Sequence, residues 1–157
     1  MSAPDPFEPR WRSVFDLRFG DFDYLGHMTA TAYLMFFEEA RVAWLSTSLH
    51  QREPAYVVAR QEIDFERELL RSDSPITVEI AVTSAGNSRI DLHERLTSAN
   101  GRRHATSRAS LVMWDRTHRR PRPCTEAEKT LFSAGPGTRP HGNALLDQPE
   151  RHSYHAE

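Results

Sequence analysis

Cysteine and lysine are almost missing from this chain. Cys124 is the single thiol and Lys129 the single lysine in 157 residues. One thiol excludes an intrachain disulfide framework and a thiolate metal cluster. It fits a reducing compartment, so a cytoplasmic location is expected. The shortage of lysine leaves arginine as nearly all of the basic charge, a compositional bias of the source rather than a functional signal. Neither sign of charge dominates, the net being −2. Bulk attraction to nucleic acid or to an anionic membrane is therefore not expected. Long apolar runs are missing too, which argues against a membrane span. The opening MSAPDPFEPRW is acidic and proline-rich with no apolar h-region, and does not read as a secretory signal.

What is present is an ordinary globular mixture, 38% hydrophobic and 27% charged, of a length that suits one domain with one core. Residues 1–12 read as an extended lead, since Pro4, Pro6 and Pro9 resist helix. In SVFDLRFGDFD the apolar Phe15, Leu17 and Phe19 alternate with Asp16 and Arg18, which is a strand with one buried face. Continuing that pleat puts Asp21 and Asp23 on the inward row, unless Gly20 inserts a bulge.

A helix is expected from Ala30 to Leu49, with Thr29 as its cap. Tyr33, Leu34, Met35, Phe36, Phe37, Ala40, Trp44 and Leu45 make it apolar over more than a narrow stripe, so it should be wrapped by other structure. Glu38 and Arg41 read as an i,i+3 pair on it.

Strands follow. YVVARQEIDF puts Val57, Ala59, Ile63 and Phe65 on one face. ITVEIAV alternates Ile76, Val78, Ile80 and Val82 with polar residues, and RIDLHERL alternates Ile90, Leu92 and Leu96 with Asp91, His93 and Arg95. Asn100-Gly101 signals a two-residue hairpin into a last strand from Arg103 to Trp114. Thr125 with Glu128 offers a capping box for a short helix. Residues 133–157 lack periodicity and read as a flexible tail. One helix set apart from a run of strands argues an α+β fold, an antiparallel sheet wrapped around one long central helix.

The string RFGDFDYLGHMTATAYLMFFEEAR resembles the signature of the 4-hydroxybenzoyl-CoA thioesterase-like group of hotdog-fold acyl-CoA thioesterases. In that group an acid-x-Asp pair ends a strand, a glycine loop follows, and a helix carries Tyr in its first turn and Glu-x-x-Arg further on. The matching residues are Asp21, Asp23, Gly26, Tyr33, Glu38 and Arg41, and the resemblance covers residues 13–132. It implies a single hotdog domain, no metal or organic cofactor, and a homodimer or homotetramer with its site at the subunit junction. By position Asp23 matches the catalytic carboxylate, and Ala30 the residue whose backbone N–H polarises the thioester carbonyl. Many relatives carry Asn, or an aromatic followed by a polar residue, where this chain has Thr29-Ala30-Thr31. Backbone rather than side chain is thus left as the donor. Related proteins set the strand after a G-x-S segment beside the pantetheine arm, which nominates Ser88 and Arg89 for substrate binding. A related branch places its catalytic Glu on the central helix, so Glu38 and Glu39 are held in reserve.

The residues themselves fit that chemistry. Thioester hydrolysis needs a donor for the carbonyl oxygen as negative charge develops, and an oxygen nucleophile at the carbon. A helix N-terminus supplies free N–H groups and a positive dipole end. Asp23 can serve as base toward water or as direct nucleophile. Asp21 is expected to support the loop by hydrogen bonding. His27 is read as a loop residue packed near Tyr24, since no Ser or Cys nucleophile adjoins it.

Thr29 and Tyr33 at the helix start are candidates for contact with substrate, with Tyr24, Leu25, Phe37 and Val58 as apolar pocket residues. Arg102 and Arg103 join Arg89 as cations that could face CoA phosphates. The tail histidines His141, His152 and His155 lack partners at ligand spacing, so no metal site is expected. The leading expectation is hydrolysis of an acyl-CoA or acyl-carrier-protein thioester to free acid and thiol. The alternatives are an enoyl-thioester hydratase or dehydratase, with His27 as its histidine, and a non-catalytic acyl-CoA-binding module. Unpaired edge strands favour a second copy as partner.

Overall fold

In a computed structural model of the chain, which describes residues 7–134, the apolar stretch after Thr29 is one twenty-residue helix. In chain order the elements are β1 (Trp11–Phe15), a 3-10 turn (Phe19–Asp21), α1 (Ala30–Leu49), β2 (Tyr56–Phe65), a second 3-10 turn (Arg71–Asp73), β3 (Ile76–Ala85), β4 (Arg89–Ser98), β5 (Arg103–Asp115), β6 (Arg120–Pro121) and α2 (Glu126–Ser133). The strands form one antiparallel sheet in the order β1-β3-β4-β5-β2, and the two-residue β6 hooks back onto the end of β5. The sheet curls around α1, giving the single hotdog domain.

The core lies between the helix and the inward rows of β3, β4 and β5. Ala32, Tyr33, Phe36, Phe37, Ala40, Trp44 and Leu45 of α1 are buried against Ile76, Val78, Ile80, Ile90, Leu92, Leu96, Ala105, Ala109 and Leu111. Each fully buried large side chain stabilises by about 1.5–3 kcal/mol, so this face holds the helix in place. The helix is not wrapped on all sides, however: Leu34 and Val42 are exposed, one turn either side of exposed Glu38. Thr29 caps the first turn as expected, its Oγ1 accepting the Ala32 N–H at 3.2 Å. His50, in the left-handed region at φ 52°, ends the last.

Several local readings differ. β1 begins at Trp11, inside the stretch read as an extended lead, and stops at Phe15. The chain then makes a 3-10 turn rather than a bulge at Gly20, so Asp21 and Asp23 do not share an inward row: Asp21 is buried and Asp23 exposed. The hairpin between β4 and β5 is a three-residue loop with a Gly bulge, since Ser98 C=O accepts the Gly101 N–H and Ser98 N–H donates to Arg102 C=O. Gly101 sits at φ +79°, where a side chain is strained. β2 lies at the sheet edge with Val57, Val58 and Phe65 exposed, and a bulge at Ala59 puts Val57 on the face opposite Ile63 and Phe65, where the alternation predicted one shared face.

Arg41 does not pair with Glu38. It reaches across the core to Glu94 on β4, Nε to Oε1 at 2.6 Å and the second nitrogen to Oε2 at 2.8 Å, with both side chains at most 1% exposed. Glu94 takes an inward position between Leu92 and Leu96, and a bidentate guanidinium is the partner that a buried carboxylate needs. The capping box of α2 forms as expected, Glu128 accepting the Thr125 N–H while Thr125 Oγ1 accepts that of Glu128. α2 runs to Ser133, which removes the first residue of the expected tail; residues 135–157, with His141, His152 and His155, lie outside the described residues.

Candidate active site

The segment between the first 3-10 turn and α1 closes on itself. Phe22 bridges Met28, Thr29 N–H donates to the Asp21 carbonyl at 2.8 Å, and Asp23 N–H donates to the His27 carbonyl at 2.9 Å. Gly26 makes the reversal at φ +76°, a conformation an L side chain rarely takes. The result is a small loop with Asp23 at its neck. Oδ1 of Asp23 accepts two backbone donors, Leu25 N–H at 2.9 Å and His27 N–H at 3.1 Å. These bonds set the orientation of the carboxylate and leave Oδ2 free of any partner among the described residues. Asp21 plays the supporting part: its carboxylate accepts the Arg18 N–H at 2.8 Å and pairs with the Arg18 guanidinium at 3.2 Å.

α1 starts seven residues after Asp23. Its N–H donors divide cleanly. Ala32 and Tyr33 donate to Thr29, while Ala30 and Thr31 N–H have no acceptor among the described residues. Both residues are exposed, so two unpaired donors stand at the positive end of a twenty-residue helix, a few residues after Asp23 in the chain. Such an end polarises a carbonyl and stabilises an oxyanion.

The rest of the neighbourhood is mixed. His27 Nε2 is 2.8 Å from Glu68 Oε2, which fastens the loop to the segment after β2. Tyr33 is buried, with its ring edge-on to Phe65 at 5.0 Å. Burial, then the charge of Asp73, pushes its phenol up to about 12, so it carries its proton at neutral pH. Phe37 is wholly buried in the core, whereas Tyr24 is 96% exposed and Leu25 and Val58 are also exposed. These four do not form one pocket within the chain.

Ser88 and Arg89 lie elsewhere. Arg89 opens β4 across from Val112, near the end of β5, and the Ser88 carbonyl accepts the Met113 N–H at 2.8 Å. The helix N-terminus lies at the other end of the sheet, where Tyr33 meets Phe65 and Met28 N–H donates to the Leu69 carbonyl. The Arg89 guanidinium is engaged by Asp91 and Ser110, Nε to Oδ1 at 3.2 Å and the terminal nitrogen to Oγ at 2.7 Å. Arg103 pairs with Glu66 at 2.8 Å. Among the described residues no three His, Cys, Asp or Glu gather in an arrangement that could hold a metal ion. None of their helices is long and apolar enough to cross a membrane.

Known proteins share this architecture. No curated protein matches the sequence. A thioesterase from Thermus thermophilus, crystallised with coenzyme A and zinc, is 29% identical at a TM-score of 0.70, with 80% of this chain covering 99% of that one. A Staphylococcus aureus protein in complex with CoA superposes at a TM-score of 0.74 and 16% identity over 94% of this chain and 98% of that one. A 1,4-dihydroxy-2-naphthoyl-CoA thioesterase from Synechocystis gives 0.67 at 18% identity over 78% and 94%. The last two likenesses speak for the fold alone. The family model of the thioesterase-like superfamily matches residues 17–131, from before the Asp21 turn to the middle of α2. The chain therefore belongs to the thioesterase-like superfamily and is a thioester hydrolase of the hotdog fold.

Proposed function

We propose that the protein hydrolyses an acyl-CoA thioester to free acid and CoA, with Asp23 as the base that activates water and the α1 N-terminus as the oxyanion donor. The observation that carries this reading is the pairing of an oriented, half-open carboxylate with two unsatisfied helix N–H groups. Asp23 Oδ2 takes a proton from water as the oxygen attacks the thioester carbon. The carbonyl oxygen gains the negative charge and is met by Ala30 N–H, with Thr31 N–H beside it. Collapse of the tetrahedral intermediate breaks the C–S bond, and the proton held by Asp23 goes to the departing thiolate. One preorganised donor contributes about 3–4 kcal/mol to such a step. The Thermus thermophilus thioesterase crystallised with coenzyme A supports CoA as the thiol carrier.

The functional unit in this reading is a dimer. β2 is a free edge with exposed Val57, Val58 and Phe65, and such an edge is a template for another strand. On one face Arg60 pairs with Glu62 two residues on, at 3.1 Å. A two-fold axis through Gln61 would set Arg60 opposite Glu62 of the second copy, extending that pair into an alternating quartet. The same antiparallel pairing carries the Ser88–Arg89 end of one copy to the Asp23 end of the other. Ser88 and Arg89 of one copy would then face CoA bound by Asp23, Ala30, Thr29 and Tyr33 of the other. The test is a hydrolysis screen over short, long and aromatic acyl-CoAs and an acyl-carrier-protein thioester, run in ¹⁸O water under single turnover. Label in the product acid from the first turnover supports the base mechanism. Label left in Asp23, or hydrolysis of the carrier-protein thioester alone, overturns the respective part.

A further inference from the structure

β5 opens on a bulge. Leu96 faces Ala105 but Thr97 faces Arg103, which makes His104 the extra residue. A bulge re-aims the side chain it carries, and this one leaves His104 only 2% exposed. The ring is held at both ends, with Nδ1 2.8 Å from the Glu68 carbonyl oxygen and Nε2 3.0 Å from Ser98 Oγ. A carbonyl only accepts, so Nδ1 carries a proton and donates it to Glu68. The His104 carbonyl meanwhile accepts Glu66 N–H at 2.8 Å and Arg67 N–H at 3.3 Å. One residue thus grips three in succession, in a stretch that belongs to no helix or strand. Backbone outside the ladder needs such partners to hold one position.

The grip continues to the Asp23 loop. Leu69 C=O accepts the Met28 N–H at 2.9 Å, and Glu68 Oε2 meets His27 Nε2 at 2.8 Å. His27 N–H is one of the two donors on Asp23 Oδ1, and its carbonyl accepts the Asp23 N–H. The path from ring to carboxylate is therefore unbroken: His104, Glu68 and Leu69, His27 and Met28, Asp23.

We propose that His104 is a positioning residue for the catalytic loop, which it holds through the Nδ1–H bond to the Glu68 carbonyl. The proposal rests on the reading of Asp23 as the catalytic carboxylate. A histidine that merely filled the core would matter equally at both ring nitrogens; a positioning residue matters at Nδ1.

Two near-isosteric variants separate these. His104→Asn places an amide nitrogen near the site of Nδ1 and keeps the donor to Glu68. His104→Gln reaches the site of Nε2, keeps a partner for Ser98 and loses that donor. The measurements are kcat, KM, thermal midpoint and amide hydrogen exchange at His27 and Met28. H104Q is expected to lower kcat by about ten- to a hundredfold, the size expected of a small displacement of a reacting group. KM is expected to stay within about threefold, since ground-state binding is untouched. Met28 exchange should rise by at least about tenfold in H104Q, as its protection reflects local opening of the loop. H104N should remain near wild type in all three.

Equal kcat losses in the two variants that follow their thermal midpoints would overturn the proposal, as would unchanged Met28 protection in H104Q. If H104Q fails to fold, Ser98→Ala decides: it removes the Nε2 partner, together with that hydroxyl's bonds to Asn100 Oδ1 and the Arg102 carbonyl, and leaves the Nδ1–Glu68 bond in place; it is expected to lower the midpoint with kcat intact, and a kcat fall there refutes the assignment to Nδ1. Exchange needs no substrate. A wild type inert toward thioesters would therefore sink the catalytic reading while the loop anchoring is still judged on its own data.

Discussion

Replacing Asp23 by Asn tests the chemistry with little disturbance of the fold. Asn keeps an oxygen where Oδ1 now accepts the Leu25 and His27 amide protons, at 2.9 and 3.1 Å, so the loop retains both bonds. The side chain is exposed, and the change in stability should stay within about 0.5 kcal/mol, as for other surface substitutions. For a domain of this size that is a shift of no more than about 4 °C in thermal midpoint. The catalytic cost is of another order. Loss of a positioned general base removes about 10²–10⁴ in rate, or about 2.7–5.4 kcal/mol of transition-state stabilisation at 1.36 kcal/mol per tenfold. Asp23→Ala is the contrast, since it deletes the base and both loop bonds together. It should match D23N in kcat and fall below it in midpoint. The assay is release of CoA thiol, followed with an aromatic disulfide reagent. Cys124, the one thiol of the chain, is buried and adds little background. A D23N variant with kcat within about threefold of wild type would refute the mechanism. A loss of activity matched by an equal loss of folded protein would refute the claim that Asp23 acts chemically.

Three further outcomes follow from the geometry. Glu94→Ala strands the buried Arg41 guanidinium and should cost about 3–5 kcal/mol in urea denaturation, whereas the double variant Arg41→Met/Glu94→Leu should recover most of that loss. A double variant as unstable as the single would show that the pair itself, not the orphaned charge, dominates. For Glu128, burial pushes the carboxyl up, but the bonds from Arg122, at 2.6 and 2.8 Å, and from Thr125 outweigh it and hold the group below its ordinary value. A lowered folded value gives stability that is present above the unfolded carboxylate range and is lost as pH falls through the folded one. Thermal midpoints of Glu128→Gln should therefore converge on wild type under acid, and a constant gap at all pH would contradict this. Arg60→Glu should weaken self-association about tenfold by sedimentation, with Arg60→Glu/Glu62→Arg restoring it; a single variant that dimerises like wild type would reject the Gln61-centred register.

Local rules carried much of the site. The helix from Ala30, its Thr29 cap and the Thr125–Glu128 box were legible because each depends on neighbours three or four residues away. Asn100-Gly101 was legible as a turn for the same reason, although the loop length there depended on how Ser98 and Arg102 closed the hairpin, whereas Gly26 was nominated by the family resemblance. Asp23 before a helix start could be nominated from order along the chain and from family resemblance.

Other features depended on partners far away in sequence. Glu94 looked like one charge among many, and only packing put it on the inward row opposite Arg41, 53 residues earlier. A signal was present, an acid at an even step between Leu92 and Leu96, but periodicity alone does not supply the counter-ion. The division of labour between Asp21 and Asp23 turned on a 3-10 turn that broke the strand and sent one acid inward. His104 was silent in sequence because a bulge, which shifts parity by one residue, decides where its ring points. Ser88 and Arg89 share a chain with Asp23 but not an end of the sheet, since antiparallel register fixes where each strand terminus lies.

By itself the sequence determined the long helix, its caps and most of the strands, because caps, turns and apolar periods are short-range physics. Tertiary structure alone decided which acid faces solvent, which charges meet in the core and what steadies the loop. Those outcomes depend on burial and on hydrogen-bond partners that chain folding brings together from distant positions.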